Sequence, residues 1–300
     1  MVVCAVLFGC DESFIGLDLG KGYSIVIKSL LPVDGLMEIF SLDAIDLRYE
    51  YEEARLNKDN LNVACIYQEF EYSLSSVKAD EEFNMLRSEI LSYIDDQVRI
   101  IRLLIEGPVR FKKLAIKMKI NNCADVFERE LTHFALIPIG EAYYVETYTK
   151  SSIENQNFLS QKIQEISLPI INDFVNQAHL FYDRSYLVTI GEAEILLISA
   201  LEILYLESEK CIKECLAKRC SVFLSTNEEE RKNKFIFLKK EYEKRCEYVH
   251  DGNANNINIE GILFLRDCVR KSILKMIESP TTKKTLIREL REKVSSIQVW

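Results

Sequence analysis

The chain has 300 residues, 48% of them hydrophobic, with 47 acidic and 38 basic side chains for a net charge of −9. That apolar content supports one large core or two modest ones in a soluble globular protein, and no apolar run approaches the roughly 18 to 20 residues that cross a bilayer. Nine cysteines without paired spacing read as reduced thiols of a cytoplasmic protein, and ten glycines with no Gly-rich phosphate loop argue against a nucleotide-hydrolysing engine.

In chain order, Met1 to Cys10 imitates a lipoprotein cleavage site at Leu7-Phe8-Gly9-Cys10. It lacks a basic leading region and its apolar stretch is short, so it is read as a first buried strand. Residues 1 to about 75 are strand-rich, with Val2 to Phe8, Gly16 to Leu19 and Tyr23 to Ile27, the last two joined by the turn Gly20-Lys21-Gly22. An antiparallel arrangement is expected. From Asp80 the period becomes helical, with Phe83, Leu86, Ile90, Ile94, Val98 and Ile101 on one stripe that ends before Gly107-Pro108. Short strands return at Phe111 to Ile120 and Phe134 to Tyr148. After Ser151 the pattern is helical: one long helix over 154 to 184, then helices at 190 to 206, 208 to 224, 227 to 250, 257 to 278 and 282 to 297. Thr189-x-x-Glu192 and Thr226-x-x-Glu229 are read as capping boxes, and Gly252 as a left-handed C-cap. The fold class is α+β, with a strand-rich N-terminal domain carrying a long helix (1–150) followed by an all-α bundle (151–300).

Charge is uneven. Residues 201 to 300 carry a net +4 and residues 1 to 200 a net −13, so any nucleic-acid surface belongs to the C-terminal third, and tight non-specific binding to duplex DNA is not expected.

The stretch Lys244-Arg245-Cys246-Glu247-Tyr248-Val249-His250-Asp251-Gly252 closes a charged helix. An imidazole can exchange a proton near neutral pH, and a guanidinium holds a phosphate bidentately. An Arg with four to six residues before a His arises by chance about 0.4 times in a chain of this composition, so the flanking sequence carries the reading. On a straight helix five residues advance about 500°, which leaves Arg245 and His250 about 140° apart. Either the helix unwinds near Val249, or two chains supply the pair.

From Ala193 to Glu278 the chain resembles the HEPN superfamily, most closely its Apea-like branch. The matching features are the triplet Ala200-Leu201-Glu202, then Leu216-Ala217-Lys218-Arg219, then Tyr242-x-x-Arg245-Cys246-x-x-Val249-His250-Asp251-Gly252. Cys246 stands where that family has a polar residue, and Asp251 intervenes before the glycine. The resemblance implies a homodimer through the helical domain and metal-independent RNA cleavage in bacterial defence or a toxin system. In it His250 acts as proton carrier, Arg245 stabilises charge, and the N-terminal half senses an unknown trigger or partner protein. Glu202 is expected to pair with a buried arginine, Arg245 or Arg219. Tyr242 and Tyr248 flank the motif as candidate base-stacking or core residues.

Other constellations are set aside. Cys211, Cys215 and Cys220 with His250 could be imagined as a zinc site, but a Cys-x3-Cys inside a helix is not the tight loop pair of closed zinc sites. No metal or cofactor is expected. Arg129 and His133 fall in a strand-like segment without a nucleophile, and His179 reads as a half-buried structural imidazole. The alternative to an enzyme is a catalytically inactive HEPN module that binds RNA, a nucleotide or a protein, including an antitoxin-like partner.

Overall fold

The computed structural model describes residues 1–31, 35–71, 79–120, 131–138, 150–207, 210–252 and 254–297. Contacts divide it into two compact units, the described residues up to Ile166 forming one and those from Ser167 the other.

The first unit is built on strands β1 (Val2–Phe8), β2 (Asp18–Gly20), β3 (Tyr23–Ser29), β4 (Asn62–Glu69), β5 (Arg110–Ile120) and β6 (Leu131–Pro138). They form a six-stranded sheet in the order β2-β3-β4-β1-β5-β6, with every neighbouring pair antiparallel. The expected antiparallel sheet is present. β1 is central and buried over Val3 to Phe8, which explains its continuous apolar run, since a strand covered on both faces has no polar side to alternate.

Side chains alternate across the pleat. Cys4, Val6, Phe8, Val63 and Cys65 face a core completed by two short helices, α1 (Leu36–Phe40) and α2 (Ala44–Tyr51). The opposite face receives α3 (Ala79–Leu104), whose Tyr93 ring lies 5.5 Å from Tyr23 and whose hydroxyl donates to the Leu19 carbonyl at 2.6 Å. Helices α1 and α2 and strand β4 had no clear signal in the sequence. The expected strand at Phe134 to Tyr148 is β6 as far as Pro138; the remainder, like Arg129, lies outside the described residues.

The single helix expected over 154 to 184 is two helices, α4 (Gln156–Glu165) and α5 (Asp173–Arg184). Pro169 has no N–H to donate and disfavours helical backbone at Leu168, so the amphipathic period across 154 to 184 conceals a break. Helix α4 belongs to the first unit: Ser160 Oγ accepts from the Asp18 amide at 3.1 Å and Gln164 donates to the Asp18 carboxylate at 3.1 Å.

The second unit comprises α5, α6 (Ile190–Tyr205), α7 (Ile212–Leu224), α8 (Glu228–Asp251), α9 (Ile259–Glu278) and α10 (Lys283–Ser295). Helix α6 starts at the capping box of Thr189 and Glu192 and is the bundle's apolar axis. Leu197, Ile198, Ala200, Leu201 and Leu204 are fully buried, as α5, α7, α8 and α9 pack around it. Two buried arginines bridge helices through backbone and hydroxyl oxygens: Arg266 donates to Ser185 Oγ and the Ser185 carbonyl at 3.1 and 2.6 Å, and Arg219 donates to the Tyr205 carbonyl at 2.6 Å. The N-cap of α8 is Asn227, one residue after the expected Thr226. Asn227 accepts from the Glu230 amide at 2.9 Å, while Glu230 reaches back to the Thr226 amide at 3.1 Å. No helix among the described residues is long and apolar enough to cross a membrane.

Because Leu201 is sealed on every side, Leu201→Ala leaves a cavity in the bundle axis. It should lower stability by about 3 kcal/mol, read as a shift in the urea denaturation midpoint.

Candidate functional site

Helix α8 carries the residues singled out by the sequence. Glu228, Glu229 and Glu230 occupy its first turn, where negative charge complements the helix dipole. Its far end is closed by Gly252 at φ 67°, whose amide donates to the Tyr248 carbonyl at 3.0 Å. The helix stays regular through Asp251, so the unwinding at Val249 that would bring Arg245 and His250 together within one chain does not occur. On this helix the two residues point about 140° apart and are offset by about 7.5 Å along the axis.

His250 lies on the solvent-facing stripe of α8, in line with Asn233, Ile236, Lys240, Glu243 and Glu247, all exposed. Arg245 sits on the flank and is half-buried, its guanidinium 5.8 Å from the centre of the Tyr242 ring. Its Nε is buried and has no hydrogen-bond partner among the described residues. One chain thus presents the His250 imidazole to solvent and holds the Arg245 guanidinium on a different face of the helix.

Glu202 departs from the expectation of an ion pair with a buried arginine. It accepts a hydrogen bond from the Tyr242 hydroxyl at 3.0 Å, while Arg219 is engaged with the Tyr205 carbonyl. Tyr242 links the two groups: its hydroxyl bonds Glu202 and its ring carries Arg245. Burial, then the adjacent Glu202 charge, pushes the Tyr242 phenol up to about 12, so it remains a donor throughout the physiological range. The ring is only 9% exposed, which makes it chiefly a packing residue.

Tyr248 is also fixed by packing. A Cβ on Gly191, in the first turn of α6, would lie 2.6 Å from Tyr248 Cζ. Glycine there is required by the close approach of the ring. Cys246 is a half-buried free thiol. Cys211 is exposed, Cys215 half-buried and Cys220 buried, and no group of three or more His, Cys, Asp or Glu side chains among the described residues is placed to hold a metal ion. His179 is fully buried on α5, deeper than the half-buried position expected.

The sequence reading missed a buried charge cluster one turn before the motif. Glu241 is fully buried and accepts from Lys244 Nζ through both oxygens, at 2.8 and 3.0 Å. Its Oε2 would lie 2.3 Å from a Cβ on Gly261, in the first turn of α9. Glu194 of α6, also fully buried, completes the cluster. The available signals were faint: an i,i+3 Glu–Lys pair, ordinarily a solvated feature, and two glycines inside helical patterns.

No family model, curated protein or solved structure matches the chain.

Gly191→Ala should press on the Tyr248 ring and destabilise the bundle by about 1 to 3 kcal/mol. Combining it with Tyr248→Ala should cost less than the sum of the two single changes, as a double-mutant cycle of thermal unfolding would measure.

Proposed function

We propose that the helical unit is a metal-independent endoribonuclease of the HEPN type, acting as a homodimer in a bacterial defence or toxin setting, with the first unit as its sensor. The reading rests on the resemblance around Arg245 and His250. The observation that supports it best is their placement: both stand on the last turns of one regular helix, His250 open to solvent and Arg245 beside it. A pair held about 140° apart on a straight helix suits a site completed by a second copy, in which motifs from two chains face one another.

In such a site one His250 accepts the proton of an RNA 2′-hydroxyl as its oxygen attacks the adjacent phosphorus. The P–O5′ bond breaks, and the other His250 supplies the proton to the leaving oxygen. Arg245 stabilises the extra negative charge on the phosphorane. The products are a 2′,3′-cyclic phosphate and a 5′-hydroxyl, and DNA, lacking the nucleophile, is inert.

A second reading, a HEPN-like module that binds RNA, a nucleotide or a protein without cleaving, is favoured by Cys246. A thiol is a weak hydrogen-bond donor at the position where the family has a polar residue, so it orients Arg245 or a phosphate poorly.

The test is incubation of the full chain with total RNA in EDTA, with the product ends mapped. Cleavage giving cyclic phosphate ends is expected from the wild type, reduced at least about 100-fold in His250→Ala and in Arg245→Ala. Equal cleavage by the wild type and both variants, or RNA left intact by all three while still bound, would favour the binding module.

A further inference from the structure

Glu194, Glu241 and Lys244 place two carboxyl groups and one ammonium group in the interior of the bundle, where α6, α8 and the first turn of α9 meet. Both glutamates have 0% exposure. Glu241 is satisfied by Lys244 and lies against Gly261 at the N-terminus of α9. Among the described residues, the two oxygens of Glu194 find no donor. Two carboxylates have no hydrogen to share between them; once Glu194 carries a proton, Glu241 becomes its acceptor and the cluster balances at one negative and one positive charge.

We propose that Glu194 is a proton-operated clamp: in its neutral form it donates a hydrogen bond to Glu241 and ties α6 to the motif-bearing end of α8, and loss of that proton loosens the end. Among the described residues, a second buried negative charge beside Glu241 has only Lys244 to answer it. The charged groups that act on the Glu194 carboxyl are Glu241 and Lys244, both on α8. On the other packed helices, α9 approaches with Gly261 and its amide end, Arg266 of α9 is bonded to Ser185, Arg219 of α7 to Tyr205, and α5 contributes the buried His179.

Burial first, and then the neighbouring Glu241 charge, push the Glu194 carboxyl up to about 8, well above the roughly 4.3 of a glutamate in an unfolded chain. Between those values the folded protein holds a proton that the unfolded chain has released. The group's contribution to stability is therefore complete below the unfolded value and is lost progressively as pH rises to about 8, after which it levels.

The clamp is a property of the fold and does not depend on the nuclease reading, so each can fail without the other. The test compares denaturant unfolding of the full chain and of Glu194→Gln, whose amide can still donate to Glu241 but cannot ionise, at pH from about 5 to 9. The difference in stability between wild type and variant should move in the variant's favour as pH rises from about 5 to 8, then stay constant. Parallel curves would overturn the proposal. A second measurement needs no variant: in wild-type protein with 13C-labelled glutamate, one carboxyl resonance should keep its protonated position at pH 7 and move near pH 8. If every glutamate has moved by pH 6, the clamp is wrong.

Discussion

The helical unit depends on keeping one charged group out of water. Glu241, with no exposure to solvent, is held by Lys244 one turn further along the same helix. Removing one partner of a buried ion pair typically costs about 3 to 5 kcal/mol, because the other charge is left without compensation. The pair fixes how α8 may rotate about its own axis. Only one rotation turns Glu241 toward Glu194 and the first turn of α9 while leaving Lys240, Glu243 and Glu247 in solvent. Everything on the last two turns of α8, including Arg245 and His250, inherits its direction from that choice.

Around this anchor the bundle is ordinary packing, and the contrast is informative. Helix α6 is apolar on nearly all sides and could slide or turn at small cost if hydrophobic burial alone held it, because burial is not directional. The polar contacts remove that freedom. Glu194 and Gly191 on the first turns of α6, Tyr205 near its end and Glu202 between them each meet a specific group on a neighbouring helix. In the first unit the same division holds: the sheet faces bury a continuous apolar surface, while Asp18, Ser160, Gln164 and Tyr93 set how helices α3 and α4 sit on it.

Much of this architecture was legible in the sequence because periodicity reports burial directly. β1, β3, α3 and helices α6 to α10 were visible from their apolar patterns, and Thr189-x-x-Glu192 and Gly252 from the chemistry of helix ends. Helices α1 and α2 were not: at five and eight residues they are too short to show a helical period. The break before α5 was obscured because residues on either side of Pro169 keep an apolar period although the chain between them is not helical. At the candidate site, sequence could place Arg245 and His250 on one helix end, since spacing alone determines that. It could not assign partners. Glu202 was expected to meet an arginine and meets a tyrosine hydroxyl, and Glu194, Glu241 and Lys244 carried no signal that set them apart, because which charged residue faces inward is decided by three helices converging from distant parts of the chain.

The two glycine notches have a consequence for the motif itself. Glu241 fits against Gly261 and Tyr248 against Gly191. Seven residues separate them, close to two full turns, so both contacts lie along nearly the same line of α8. An inserted or deleted residue between them would swing one contact by about 100° away from its glycine. The length from Glu241 to Tyr248, with Arg245 between them, is therefore held by packing, as a ruler marked at both ends. Side chains along this segment, Cys246 among them, can vary in kind while its length cannot.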